Sequence, residues 1–151
     1  MKIDSEIIYR HIDWMKLKSK IDLFEAIHFP RKKEIWWISF GQNVGVEING
    51  KNNRFERPAL VLKVFNADSF LVAPITSKIK SGQYLFGFMS PSGEKQTVNL
   101  SQFRTVSVKR FIRKIGVITD SDFNQIADII INFIEKTETP FGVSSESSNG
   151  R

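Results

Sequence analysis

Hydrophobic positions along this chain change their period twice. Within residues 1–33, Trp14, Leu17, Ile21 and Phe24 recur at steps of three and four, while Lys16, Lys18 and Lys20 fall off the stripe. That spacing is one face of a helix. Phe29-Pro30 ends it, and Arg31-Lys32-Lys33 reads as a basic hinge. Such a face docks on its own domain or on a second copy of it. Acidic residues among the lysines argue against a helix lying on a membrane surface.

From residue 34 to 118 the pattern becomes a series of short apolar runs, at 34–40, 58–65, 70–75, 84–88, 98–100, 103–106 and 115–118. Asn66-Ala67-Asp68-Ser69 lies between the second and third, so those two pair as a hairpin. Ser90-Pro91-Ser92-Gly93 marks a second turn. Several short strands at this spacing predict a small antiparallel sheet or barrel. The helical period then returns. Thr119 with Asp122 has capping-box spacing, and Phe123, Ile126, Ile130, Phe133 and Ile134 form an apolar face that ends before Pro140. Residues 141–151 have too little apolar content to fold. The expected organisation is a helical extension over 1–33, a mainly β domain over 34–137 and a flexible tail over 138–151.

A chain of 151 residues fits one domain. Its longest apolar stretch, around Ile129-Ile130-Ile131, is far shorter than the roughly 20 residues of a membrane helix. Asp4, Glu6, Arg10 and Asp13 interrupt any signal-peptide core, and a cytoplasmic location is expected. With no cysteine, and only His11 and His28 as imidazoles, disulfides and thiol nucleophiles are excluded, and neither a metal site nor a cofactor is expected. A formal charge of +6 favours a polyanion or an acidic protein as partner, although a merely basic protein would carry the same charge.

The candidate chemistry lies in three places. Gly45-Val46-Glu47-Ile48-Asn49-Gly50 is a loop, Arg57-Pro58 opens an apolar strand, and Ala73-Pro74-Ile75-Thr76-Ser77-Lys78 closes another. RNA carries its own nucleophile, the 2′-hydroxyl. A ribonuclease therefore needs groups that align it, accept its proton and stabilise charge on phosphorus. An arginine fork matches two phosphate oxygens and keeps its proton. Taken alone, however, Arg57 reads as a strand-end arginine, Thr76 as a turn residue, and Lys78 and Lys80 as solvated.

The order of motifs alters those readings. Glu34-Ile35-Trp36-Trp37, Gly45-x-Glu47, Arg57-Pro58, Pro74-x-Thr76-Ser77-Lys78, Gln102-x-Arg104 and Lys114-Ile115-Gly116 follow one another over about residues 34–136. This series resembles the PemK/MazF family of toxins, endoribonucleases from type II toxin–antitoxin pairs. The resemblance implies an SH3-like small β-barrel with accessory helices, usually a homodimer. It also implies metal-independent cleavage of single-stranded RNA to 2′,3′-cyclic phosphate and 5′-hydroxyl ends, and an acidic antitoxin as partner. Arg57 and Thr76 would be catalytic and Glu47 the general base; Ser77, Lys78, Lys80, Gln102 and Arg104 would contact RNA.

Two departures stand out. Val46 replaces a serine found in many relatives, and the loop from Glu47 to Arg57 belongs to a longer branch. Two other functions fit the same residues: a non-catalytic toxin of this fold acting on DNA gyrase, and a nucleic-acid-binding module that stacks bases on aromatic side chains. Trp36 and Trp37 cannot both stack, because neighbours on a strand face opposite ways.

Overall fold

A computed structural model describes residues 3–136; the expected tail lies outside them. Helix α1 (Ser5–Leu23) is followed by strands β1 (Glu34–Ser39), β2 (Glu56–Val64), β3 (Ser69–Thr76), β4 (Leu85–Met89), β5 (Lys95–Asn99), β6 (Arg104–Ser107) and β7 (Phe111–Val117), then helix α2 (Asp120–Glu135). All pairings are antiparallel. The strand order is β4-β5-β3-β2-β1-β7, and β6 joins from the side by pairing with β3.

Strand β3 is the hub. One edge carries β2; the other is shared, with Ser69–Val72 pairing β6 and Ile75–Thr76 pairing β5. This fork lets one sheet bend around a core without closing. The expected barrel is therefore an open, antiparallel sheet: β4 and β7 are edges and do not bond to each other. The β2–β3 hairpin forms as expected, with a register shift between Val61 and Lys63 that gives the ribbon a local bend.

The central strands bury both faces, which is why they read as continuous apolar runs rather than as alternation. On one side Ile35, Leu60, Ala73, Ile75, Val98 and Leu100 pack under Phe123 and Ile126 of α2. On the other Trp36, Ile38, Val61, Phe70, Val72 and Phe111 form a second cluster. Helix α2 starts where its cap predicts, the Asp122 N–H donating to Thr119 Oγ1 at 3.1 Å. Its buried stripe is shorter than expected, because Ile134 is 67% exposed.

Helix α1 stops at Leu23 rather than at Phe29-Pro30. Asp4 caps it by accepting from the Glu6 N–H. Only Trp14 of its stripe is fully buried; Leu17 and Ile21 are partly so, and Phe24 is exposed. Trp14 lies across Gly41, whose φ of +93° suits glycine and where a Cβ would fall 2.4 Å from the indole. The basic hinge is anchored at Glu34. Its carboxylate accepts from the Arg31 N–H (2.9 Å), Trp36 Nε1 (2.8 Å) and Lys114 Nζ (2.6 Å). Burial works to raise its pKa, but these three donors outweigh it and leave the group below the ordinary 4.5. No helix among the described residues is long and apolar enough to cross a membrane.

Candidate active site

The hairpin itself brings Arg57 and Thr76 together. In the β2–β3 register Ala59 faces Pro74. Stepping two residues toward the open end on each strand reaches Arg57 on one side and Thr76 on the other. Both side chains line two adjoining cavities. One, of about 250 Å3, also takes in Trp37, Asn52, Glu56, Ser77 and Gln96. The other, of about 220 Å3, takes in Ile48, Lys78, Lys80 and Asn99. Lys51 borders both.

Arg57 is half-buried, and its Nε donates to the Asn49 carbonyl at 2.9 Å. Among the described residues neither terminal nitrogen of its fork has a protein acceptor, so both remain for an anion. Burial holds the guanidinium below the usual arginine range. Thr76 Oγ1 accepts from the Lys78 N–H at 3.2 Å. That fixes the hydroxyl while leaving its own proton to donate. The segment behind it is pinned by Thr97, buried in β5, which donates to the Lys78 carbonyl (3.0 Å) and accepts from the Lys80 N–H (3.3 Å).

The remaining candidates lie next door. Glu47, Gln102 and Arg104 line a neighbouring cavity of about 280 Å3 with Asn43 and Ser101, and Ile48 forms the wall shared with Arg57. The Glu47 carboxylate caps its own turn by accepting from the Val44 N–H at 3.1 Å. Gln102 accepts from the Ile48 N–H and donates to the Val46 carbonyl, both at 3.1 Å. Its amide thus staples the loop in this arrangement. The loop is further knitted by Asn43, whose N–H donates to Asn49 Oδ1 at 2.6 Å and whose amide donates to the Ile48 carbonyl at 2.7 Å.

Glu56 escaped the sequence reading. It is 5% exposed, and its carboxylate takes both terminal nitrogens of Arg113, at 3.1 and 3.2 Å, together with Asn52 Nδ2. Arg113 in turn lies 4.6 Å from the centroid of the Trp37 ring. A partner 57 residues away gives no local signal. The rest of the basic cluster is structural as well: Lys114 pairs with Glu34, Arg110 donates to the Ser39 and Phe40 carbonyls, and Lys109 reaches the Asp22 carbonyl. His28 sits edge-on to Trp36 and His11 is exposed on α1, both outside these cavities. No group of three His, Cys, Asp or Glu side chains among the described residues could hold a metal.

The loop preceding Arg57 carries unusual backbone. Asn52 and Phe55 have φ of 55° and 50°, left-handed values that cost a bulky side chain energy. Helix α1 holds this loop. Arg10 donates to the Asn52 carbonyl at 3.1 Å and to the Gly50 carbonyl at 3.5 Å, with its guanidinium 3.9 Å from the Phe55 ring centroid. Trp14 packs on the same ring at 5.5 Å.

Residues 31–134 match the family described as PemK-like, MazF-like toxin of type II toxin–antitoxin system. Among solved structures, MazF from Deinococcus radiodurans superposes with a TM-score of 0.59 at 18% identity, covering 72% of this chain and 98% of that one. The MazE–MazF structure from the same organism gives 0.55 at 15% identity, covering 74% and 100%. An endoribonuclease in complex with its cognate antitoxin from a mycobacterial species gives 0.54 at 12% identity, covering 73% and 99%. No curated protein matches the chain in sequence. Helix α1 lies outside the family match.

Proposed function

Because the chain belongs to the PemK-like, MazF-like family of type II toxins, we propose that it is an endoribonuclease acting on single-stranded RNA without a metal. The observation that carries this reading is the fork of Arg57, anchored through Nε and open at its terminal nitrogens, in cavities shared with the donor hydroxyl of Thr76. A scissile phosphate seated there meets both groups. The 2′-oxygen attacks phosphorus and gives up its proton; the bond to the 5′-oxygen breaks, and that oxygen takes a proton from a donor or water. The products are a 2′,3′-cyclic phosphate and a 5′-hydroxyl. Arg57 and Thr76 stabilise the charge that builds on the non-bridging oxygens. Lys51, Lys78 and Lys80 hold the flanking backbone.

Glu47, the expected base, lines the neighbouring cavity across Ile48 from Arg57. The Asn49–Arg57 hydrogen bond couples its loop to the reacting centre. The charge favours an acidic antitoxin segment over the basic cavities, and membership of the family favours a homodimer. Relatives solved as MazE–MazF and as an endoribonuclease with its cognate antitoxin support the first of these.

The test is cleavage of a long single-stranded RNA in EDTA, with Arg57→Ala alongside. Wild type should cut, and the variant should be slower by about 10²–10³-fold. A folded wild type that leaves varied RNA sequences intact would sink the reading.

A further inference from the structure

Part of the wall of the 250 Å3 cavity has no role in the chemistry just described. It is built around Trp37. Its neighbour Trp36 points into the core, so Trp37 faces the other way, half-buried, between Pro58 of β2 and Arg113 of β7. The Arg113 guanidinium stacks 4.6 Å from the ring centroid yet does not itself line the cavity. Glu56, buried, holds both terminal nitrogens of Arg113 and is itself held by Asn52. The indole is therefore a plane backed by an anchored guanidinium at the edge of the Arg57 site.

Gln96 of β5 lines the same cavity. Its side-chain amide makes no hydrogen bond among the described residues, whereas that of Asn52 is already engaged through Nδ2 with Glu56 and through Oδ1 with the Arg54 N–H. An amide with a free donor and a free acceptor beside an aromatic plane matches one ligand chemistry, a flat heterocycle with a polar edge. The volume lies below the roughly 300 Å3 at which pockets for drug-sized ligands begin, and so suits a single ring system.

We propose that the cavity between Trp37 and Gln96 receives one nucleobase of the RNA, the base adjoining the phosphate held by Arg57. The indole supplies the stacking face and Gln96 reads the base edge. This rests on the ribonuclease reading and makes Gln96 a specificity-determining residue within it. Glu56 and Arg113 are positioning residues that act through Trp37.

A randomised pool of single-stranded RNA tests it, incubated with wild type, Trp37→Phe, Trp37→Leu and Gln96→Ala, with bound and cleaved fractions sequenced separately. Wild type should enrich one base at a fixed position next to the cut. Trp37→Phe, which keeps a ring, should retain that preference. Trp37→Leu and Gln96→Ala should both lose it at that position alone, with cleavage of the preferred sequence slowed about tenfold or more. Gln96 is only partly buried and its side chain makes no hydrogen bond among the described residues, so its loss should change thermal stability little, and a folding defect in the Trp37 variants would not hide the answer. Cleavage by wild type with the same preference in Trp37→Leu and Gln96→Ala would overturn the pocket and leave the ribonuclease standing. A base preference in the bound fraction that both variants lose, with no cleavage by wild type, would keep the pocket and overturn the ribonuclease.

Discussion

Arg57 shows that a guanidinium brings a fixed geometry as well as a charge. Its Nε bond to Asn49 fixes the plane of the fork. Arg57→Lys keeps the charge but loses both that bond and the two-pronged geometry. The expected result is a fall in kcat/KM close to that of Arg57→Ala, read on a short fluorescent RNA, whereas Thr76→Ser should retain most activity and Thr76→Ala lose about tenfold or more. At Glu34 the consequence is for stability. Its folded pKa is lowered, so it stabilises the fold above about 4.5, and that contribution disappears as pH falls through the folded value. Glu34→Gln should therefore lower Tm at pH 7, with the gap to wild type closing as melts are repeated toward pH 3. Arg57 and Thr76 were singled out by the order of motifs along the chain, not by strand-end position, which taken alone gave each an ordinary structural reading. Glu56 and Thr97 were not, because each acts through partners distant in sequence, Arg113 for the first and the Lys78 and Lys80 backbone for the second. Gln102 was expected to contact RNA; its engagement with the Val46 and Ile48 backbone was not legible, because it depends on a loop more than fifty residues upstream.

Among the elements, the loop between Gly50 and Phe55 depends most on its neighbours. Gly50 has no room for a side chain, since a Cβ would fall 1.7 Å from the Phe55 carbonyl oxygen. Gly50→Ala should open the loop at its base, displacing Asn49 and with it the anchor of Arg57. The expected readout is a loss of activity larger than the loss of Tm. Arg10 grips the same loop from α1. Arg10→Ala should speed hydrogen exchange of the Lys51–Phe55 amides while β1 to β3 stay protected, a pattern that hydrogen–deuterium exchange resolves. Trp14→Ala should free the whole helix, at a cost of about 3 kcal/mol in unfolding free energy. The existence of α1 was legible from its period. Its length was not, because Leu23, Phe24, Ile27 and Phe29 look like core residues in sequence yet are exposed.

For the whole molecule, a charge of +6 makes RNA binding a counterion problem. Affinity should fall with salt at a slope of roughly −0.7 per neutralised phosphate on a single strand, and Lys78→Ala or Lys80→Ala should each flatten it by about that amount in fluorescence-anisotropy titrations. Strand succession, the β2–β3 hairpin and the final helix were legible because each is a local pattern. The open sheet was not. It arises from β3 dividing one edge between β5 and β6, a long-range choice that no window of sequence encodes. Beyond α1, residues 24–30 run without helix or strand and display large apolar side chains, Ile27 at 76% and Phe29 at 85% exposure. Exposed irregular backbone of this kind is where a protease cuts first. While the chain is whole, α1 meets its loop at the millimolar effective concentration of a tethered ligand. A single nick there would leave the sheet covalently intact, turn the helix into a separate peptide held by Trp14, Arg10 and the Lys109 contact to Asp22, and let dilution alone release the loop that leads into Arg57.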